Sequence, residues 1–347
     1  MSKQTGDLGK MPDAAGSGLR SAGVRVERHP TTDHDPMKVA LLDHGHHSKV
    51  TAFADEPFAA SQPLASRPAE RRATARSYLM CPPTYFAVTY SINPWMRPDQ
   101  PTDPDRAMRQ WARLHQIYLE LGHTVQTIDP IPGLPDMVFA ANGAIVIDGK
   151  VLGAKFRFAQ RQAEAGAYLD WFCAGDYRDV RPARLVNEGE GDILFTGRAL
   201  IAAYGFRTDL AAHAQLEETF GVPVISVRLV DPRFYHLDTA MCVLDAGTAA
   251  YYPAAFENAG RAALAAHFTE LIEASDSDAE VLGLNAVSDG RHVVLPVQAT
   301  ELAAKLAEHG FEPIGVDLSE LRKSGGGPKC CTLELRGRYI GGMRPDW

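Results

Sequence analysis

Short runs rich in β-branched and aromatic residues recur from Tyr78 to the C-terminus, and five stretches with helical spacing separate them. The helical stretches lie in residues 104–122 and near 160–173, 209–220, 258–274 and 298–309. The strand-like runs are residues 85–92, 144–148, 151–156, 199–204, 222–227, 239–245, 248–253, 292–296 and 331–336. This regular alternation predicts repeated α/β units, and hairpin signals at 148–150 and 245–248 predict antiparallel neighbouring strands.

Residues 1–76 differ in composition from the rest of the chain. They are rich in Gly, Ala, Ser, Pro, Arg and His, and VALLD at 39–43 is their only short apolar run. Such a segment buries too little apolar surface to offset the entropy of ordering, so we predict a mostly disordered extension followed by one catalytic domain over 77–347. His44, His46 and His47 lack a carboxylate or cysteine that would complete a metal site, so we predict no metal there.

The composition limits the classes of function. With 347 residues and 45% hydrophobic content the chain can bury a full core, and a formal charge of -8 lacks the basic excess of a nucleic-acid-binding protein. This acidic balance is compatible with a cationic small ligand. The five cysteines show no C-x-x-C spacing, and no apolar run approaches the roughly 18 residues of a membrane span. We therefore predict a soluble cytoplasmic protein without a disulfide framework, membrane span or nucleic-acid partner.

Polar and reactive residues concentrate in five short segments at the ends of strand-like runs. They are INPWM (92–96), LPDMVFAANGA (134–144), NEGEGD (187–192), FYHLD (234–238) and SGGGPKCC (324–331). Loops at strand ends carry function on a rigid frame. A cysteine nucleophile needs a nearby cation and a histidine that moves protons, and His236 and Asp238, two residues apart, can point into one pocket.

Each of these segments also has a structural interpretation. His236 could be a histidine with satisfied hydrogen bonds at a strand start, NEGEGD a solvated acidic turn, and the glycine run a mobile loop or a lid. Adjacent cysteines do not readily bond to each other, so Cys330 and Cys331 are each either a core thiol or a nucleophile. For Cys331 we favour the core.

The order of the motifs resembles that of the guanidine-modifying, amidinotransferase-fold superfamily. The order is F-x-x-N, then E-G-x-G-D, then H-x-D, then C-x-T, and the resemblance runs from about residue 78 to 347. The opening MCPPTYFAVTYSINPWM (80–96) is most similar to the arginine dihydrolase and dimethylargininase-like branch. The resemblance implies the pentein fold, which is a five-bladed α/β propeller of ββαβ modules around a substrate channel. The five helices among paired strands agree with it.

The resemblance assigns catalytic roles to three residues. Cys330, with Thr332 two positions further on, corresponds to the nucleophile, and His236 corresponds to the general acid/base. Glu188 corresponds to the acid that pairs with the substrate and orients the site. Glu190 is a lesser candidate for that role.

Five further residues correspond to substrate-binding positions: Asp238, Asn142, Asn93, Arg161 and Arg207. The two arginines match positions that grip the α-carboxylate of arginine. Asn142 departs from the deiminases and dimethylargininases, which carry an aspartate there. An amide offers one acceptor oxygen and two donors where a carboxylate only accepts. In the dihydrolase branch an asparagine at this position accompanies conversion of arginine to ornithine, carbon dioxide and two ammonia molecules.

We therefore predict a cysteine-dependent arginine dihydrolase that takes a small guanidino substrate and needs no cofactor or metal. Dimethylarginine dimethylaminohydrolase and amidinotransferase activities are the alternatives among enzymes. A non-catalytic binding protein of the same fold is less consistent with the joint presence of Cys330, His236 and Glu188. A homo-oligomer is compatible with the sequence.

Overall fold

Five three-stranded sheets, each with one main helix, form the described part of the chain. The structure, a computed structural model, describes residues 70–337. In chain order its strands and α-helices are β1 (Ser77–Met80), α1 (Pro104–Glu120), β2 (Thr124–Thr127), β3 (Ala144–Ile147), β4 (Lys150–Gly153), α2 (Gln162–Ala174), β5 (Asp179–Arg181), β6 (Ile193–Phe195), β7 (Leu200–Tyr204), α3 (Ala212–Phe220), β8 (Val224–Arg228), α4 (Leu237–Ala240), β9 (Met241–Val243), β10 (Thr248–Tyr251), α5 (Asn258–His267), β11 (Glu270–Glu273), α6 (Asp276–Ala279), β12 (Val287–Ser288), β13 (His292–Pro296), α7 (Thr300–Glu308), β14 (Glu312–Val316) and β15 (Leu333–Glu334).

The same pairing recurs in every sheet. The middle strand pairs antiparallel with one neighbour and parallel with the other, as β4 does with β3 and β5. In the first sheet the antiparallel partner of β1 is β15, so the C-terminal strand completes the first module and closes the ring. The predicted five-bladed α/β propeller of ββαβ modules is confirmed.

Two predicted elements are wrong. Residues 85–92 were expected to form a strand, but they pair with no other strand, although Phe86 and Val88 are buried. They cannot pair with the preceding strand β1, because β1 already has β2 on one side and β15 on the other. The helix expected over 258–274 ends at His267, and the following residues form β11 beside β10.

Helix α1 follows from local sequence signals. The side chain of Asp103 accepts a hydrogen bond from the backbone N–H of Arg106 at 3.0 Å, and Pro104 occupies the first turn. The buried residues Trp111, Leu114 and Tyr118 follow at spacings of three and four, so they form one apolar face that packs on the first sheet.

The predicted N-terminal extension falls mostly outside the described residues, as do His44, His46 and His47. Residues 70–76 are described, and they contact the propeller. The guanidinium of Arg71 pairs with Asp245 and Glu270, and the backbone N–H of Thr74 donates to the carbonyl of Asp289 at 2.8 Å. The folded unit therefore includes residues before the predicted boundary at 77. Among the described helices, none combines the length and apolarity needed to cross a bilayer.

The segment just before the first strand of each module carries a buried polar or reactive residue. These residues are Asn142 before β3, Asp192 before β6, Asp238 before β9, Asn285 before β12 and Cys330 before β15. First strands of neighbouring modules contact one another, β15 with β3 and β9 with β12. The five segments therefore meet around the centre of the ring.

Candidate active site

The thiol of Cys330 lies between a carboxylate and an amide. Its Sγ donates to Oδ2 of Asp238 at 3.1 Å and accepts from Nδ2 of Asn285 at 3.1 Å. Cys330 is 2% exposed and Asp238 is 0% exposed, and Oδ1 of Asp238 has no hydrogen-bond partner. Buried polar atoms are normally paired, so a free carboxylate oxygen beside a reactive sulfur is suited to a cationic N–H donor from a ligand.

Burial determines the charge state of this pair. It raises the pKa of Asp238 to about 7, although the ammonium group of Lys329 acts in the opposite direction. Burial and the neighbouring carboxylate of Asp238 raise the pKa of the Cys330 thiol well above its ordinary value. Both effects favour the thiol of Cys330 over the thiolate, and a positive charge beside the sulfur acts in the opposite direction.

Glu188 orients His236. Oε2 of Glu188 accepts from Nε2 of His236 at 2.7 Å and from Nη1 of Arg207 at 2.8 Å, and Oε1 accepts from the backbone N–H of Arg157 at 3.1 Å. Burial acts to raise the pKa of Glu188, but Arg207 and His236 outweigh it and hold the pKa well below its ordinary range. Both carboxylate oxygens are bonded to protein groups, so the predicted pairing of Glu188 with substrate requires an additional or exchanged contact, and it stays a prediction.

Nδ1 of His236 is the ring nitrogen that the protein leaves unpaired. It is buried without a hydrogen-bond partner, while Nε2 is held by Glu188. A histidine with one nitrogen fixed by a carboxylate and the other free is arranged for general acid/base work.

Asn142 lies beside the unpartnered nitrogen of His236. A Cβ atom on Gly191 would lie 2.2 Å from Nδ2 of Asn142 and 3.2 Å from Nδ1 of His236, so both nitrogens converge on this glycine. Oδ1 of Asn142 accepts from Nη1 of Arg161 at 2.7 Å, and Nδ2 donates to the backbone carbonyl of Glu188 at 3.4 Å. Because a guanidinium can only donate, Arg161 fixes the amide with its NH₂ group toward His236.

The other predicted substrate-binding residues are bonded to protein groups. Arg161 forms a buried ion pair with Glu164, with Nη2 and Oε2 2.8 Å apart, and Arg207 donates to a backbone carbonyl at 3.0 Å as well as to Glu188. Oδ1 of Asn93 caps its own turn by accepting from the backbone N–H of Trp95 at 2.9 Å. A grip on an α-carboxylate by either arginine therefore requires an exchange of partners, and it stays a prediction.

The two other acidic residues of NEGEGD have structural roles. Glu190 is 1% exposed and pairs with Lys329, with Oε2 and Nζ 2.7 Å apart, and with Arg336. Oδ1 of Asp192 accepts from the backbone N–H of Leu237 at 3.2 Å and so anchors the FYHLD segment. Within residues 70–337, no group of three or more His, Cys, Asp or Glu side chains is arranged as a metal site.

The glycine run lies packed against the site. A Cβ atom on Gly326 would lie 2.1 Å from the ring of Phe139, so a larger residue does not fit there. Oη of Tyr235 donates to the carbonyl of Gly325 at 2.9 Å, and Nδ2 of Asn93 donates to the carbonyl of residue 324 at 3.0 Å. These contacts hold the chain that leads to Cys330 in a buried path.

Cys331 and Thr332 pack toward α1. Cys331 is fully buried in a hydrophobic cluster that includes Leu114 and Tyr118. Oγ1 of Thr332 lies 2.9 Å from Oη of Tyr118 and donates to the carbonyl of Pro328 at 2.7 Å. Among the two adjacent cysteines, Cys330 is therefore the one with hydrogen bonds to the polar site.

Asn285 is a site residue that the sequence patterns did not single out. In addition to its bond to the sulfur, its Oδ1 accepts from the backbone N–H of Cys330 at 3.0 Å. The signal that could have found it is its position, because Asn285 stands before β12 as Asn142 stands before β3. Without the strand boundaries of the fifth module, this correspondence is not visible.

Comparisons with known proteins agree with this arrangement. A family model described as N,N dimethylarginine dimethylhydrolase, eukaryotic, matches residues 85–337. The N(G),N(G)-dimethylarginine dimethylaminohydrolase of Mycobacterium tuberculosis is 52% identical over 288 residues, which cover 83% of this chain and 95% of that protein. The bifunctional arginine dihydrolase/ornithine cyclodeaminase ArgZ of Synechocystis is 37% identical over 263 residues, which cover 74% of this chain but only 37% of ArgZ.

Solved structures show the same fold. The N-terminal domain of ArgZ, solved as a cysteine-to-serine variant bound to substrate, matches with a TM-score of 0.72 and 36% identity over 76% of this chain and 98% of that domain. A dimethylarginine dimethylaminohydrolase adduct matches with a TM-score of 0.61 at 18% identity over 76% of this chain and 100% of that one, which shows the fold alone. The chain therefore belongs to the N,N-dimethylarginine dimethylhydrolase family and is a hydrolase of guanidino groups.

Proposed function

We propose that the chain is an arginine dihydrolase, which converts arginine and two waters into ornithine, carbon dioxide and two ammonia molecules. The observation that carries this choice is the amide of Asn142, whose NH₂ group lies with Nδ1 of His236 around Gly191. Asn142 is uncharged and both donates and accepts hydrogen bonds, and it stands next to His236 at the position where deiminases and dimethylargininases carry a carboxylate.

The first half of the reaction uses the pair of Cys330 and Asp238. The substrate guanidinium donates to the free Oδ1 of Asp238, and its positive charge favours the thiolate of Cys330. The thiol proton passes to His236, the sulfur attacks the guanidino carbon, and His236 returns the proton to the departing nitrogen. One ammonia leaves, and an S-alkylthiouronium remains on Cys330.

The second half begins with water. His236, neutral after the first step, removes a proton from a water that adds to the thiouronium carbon, and the carbon–sulfur bond breaks to give a ureido group and a thiolate. That carbonyl oxygen is an acceptor. The NH₂ group of Asn142 can donate to it, whereas an aspartate would repel it, so the ureido species is retained for a second attack by Cys330. That attack expels the second ammonia, which receives its proton through His236, and leaves a thiocarbamate on the sulfur. A second water cleaves the carbon–sulfur bond to give a thiolate and the carbamate of ornithine, which loses carbon dioxide to give ornithine.

Solved relatives support the importance of an asparagine here. An asparagine-to-serine variant of the ArgZ N-terminal domain was solved covalently bonded to a reaction intermediate. The separation in sequence between that asparagine and the substituted cysteine of ArgZ is close to the separation between Asn142 and Cys330, and shorter than that between Asn93 and Cys330. We infer that Asn142 is its counterpart.

A second candidate is dimethylarginine dimethylaminohydrolase. The 52% identity to the Mycobacterium tuberculosis protein of that name favours it. In that reaction a single water converts methylated arginine to citrulline, and the alkylamine leaves in place of ammonia. The same Cys330, His236 and Glu188 serve both reactions, so the retention of the ureido product separates them.

Product analysis tests the proposal. The protein is incubated separately with arginine, with asymmetric dimethylarginine and with citrulline, and ornithine, citrulline, ammonia and dimethylamine are quantified. We expect two ammonia per ornithine from arginine and little free citrulline. Citrulline with dimethylamine as the only products, and no turnover of arginine, would assign the second candidate instead.

Two substitutions sharpen the test. Asn142→Asp is expected to release citrulline from arginine, because the ureido oxygen loses its donor and gains a repulsive neighbour. Cys330→Ala is expected to abolish turnover of every substrate, whereas its neighbour Cys331→Ala, which alters only the core, serves as the matched control and retains most activity. Turnover by Cys330→Ala at the wild-type rate would contradict a mechanism with Cys330 as the nucleophile.

A further inference from the structure

We propose that Asn285 is a further catalytic residue of this site, which holds the Cys330 sulfur in position and stabilises the thiolate by donating a hydrogen bond to it. The inference rests on the proposed role of Cys330 as nucleophile. It does not depend on whether the substrate is arginine or a methylated arginine.

The hydrogen bonds of Asn285 leave one orientation of its amide. Oδ1 lies 3.0 Å from the backbone N–H of Cys330, which can only donate, so this atom must be the oxygen. Nδ2 lies 3.0 Å from the backbone carbonyl of Asp238, which can only accept, so this atom must be the nitrogen. Sγ of Cys330, 3.1 Å from the same nitrogen, therefore faces an N–H donor.

This position is fully enclosed. Asn285 is 0% exposed, and a Cβ atom on Gly327 would lie 2.9 Å from Oδ1, so the glycine run packs directly on the amide. In a buried site an N–H···S contact is not weakened by competing water, and a hydrogen bond to a charged sulfur is stronger than one to a neutral thiol. The donor therefore favours the thiolate over the thiol. Burial and Asp238 act in the opposite direction.

The architecture gives a second argument. Four of the modules place Asn142, Glu188, His236 with Asp238, and Cys330 at the entrance to their first strands. The fifth module, which begins with β12, has Asn285 at this place. Every module thus contributes a side chain to the site, and the one from the fifth module contacts the nucleophile itself.

The first test uses Asn285→Asp, which keeps the shape of the side chain. A carboxylate at this place presents an oxygen where Sγ and the Asp238 carbonyl need a donor, and it adds negative charge next to the thiolate. We expect kcat to fall about 10- to 100-fold with KM nearly unchanged, because the lost bond is to the nucleophile rather than to substrate. The rate of Cys330 alkylation by iodoacetamide is measured by mass spectrometry as a function of pH. This alkylation profile should shift to higher pH.

A second variant and two controls complete the experiment. Asn285→Ser shortens the side chain without adding charge and removes the donor from Sγ, so it should also lower kcat. This variant carries the test if the aspartate variant does not fold. Gln215→Glu changes another buried amide, which lies in α3 and whose Oε1 accepts from the backbone N–H of Arg184 at 3.0 Å. This change should leave kcat and the alkylation profile unchanged. Thermal unfolding of each protein measures the structural cost separately.

The outcomes are distinct. Wild-type kcat and an unshifted alkylation profile in the Asn285 variants, with Cys330→Ala inactive, would overturn this inference and leave the proposed mechanism intact. An active Cys330→Ala protein would overturn both. A fall in kcat that Gln215→Glu reproduces at equal loss of stability would also overturn the inference, because it would mark a structural effect.

Discussion

Asp238→Asn is expected to make the protein more stable at alkaline pH while it impairs catalysis. The pKa of Asp238 is raised from 3.8 to about 7 in the folded protein, chiefly by burial. A raised pKa means that the folded state holds the proton more tightly than the unfolded state. The protonated carboxyl of Asp238 therefore makes its full favourable contribution to the free energy of unfolding below about pH 4, and this contribution is lost as pH rises through 7. At about 1.4 kcal/mol per pKa unit, the ionised carboxylate costs the folded state about 4 kcal/mol.

The assay is urea unfolding of wild type and Asp238→Asn across pH 4 to 8. The free energy of unfolding of the variant minus that of wild type should rise by about 4 kcal/mol over this range, because asparagine does not titrate. Activity should fall at least about 10-fold, since the amide cannot neutralise the guanidinium. The exposed Asp176→Asn is the control for loss of a carboxylate. A stability difference that is constant with pH would refute the reasoning.

Two further substitutions have defined outcomes. Glu188→Gln should lower kcat by about 100-fold or more, because His236 loses its orienting carboxylate. The same change should reduce the free energy of unfolding by about 3–5 kcal/mol, because the buried guanidinium of Arg207 loses its partner. Wild-type steady-state rates in this variant would contradict the prediction. Gly326→Ala should reduce the free energy of unfolding in urea by about 1–3 kcal/mol through overlap with the Phe139 ring, and an unchanged midpoint would show that the loop adapts.

The helices and the longer strands were readable from the sequence because their signals are local. Four of the five main helices lie within a few residues of the predicted bounds, and α1 carries its own cap at Asp103. Strands such as β2, β5 and β14 were not predicted, because their residues are partly exposed and show little apolar alternation. The strand predicted over 85–92 is wrong for a non-local reason, since only the pairing of β1 with β15 and β2 shows that β1 has no side left for it.

The sequence by itself determined the repeating α/β pattern and the residue types of the site, because strand propensity, helical spacing and the ordered motifs are properties of short segments. The resemblance of those motifs led to Cys330, His236 and Asn142. The tertiary structure decided which atoms meet. It showed that Glu188 faces His236, that Arg161 and Arg207 are already paired, and that Asn285 contacts the sulfur. Arg161 and Arg207 pair with Glu164 and Glu188 inside their own modules, whereas the contacts of Glu188 with His236 and of Asn285 with the sulfur join neighbouring modules. Only the packing of one module on the next brings these last pairs within hydrogen-bonding distance.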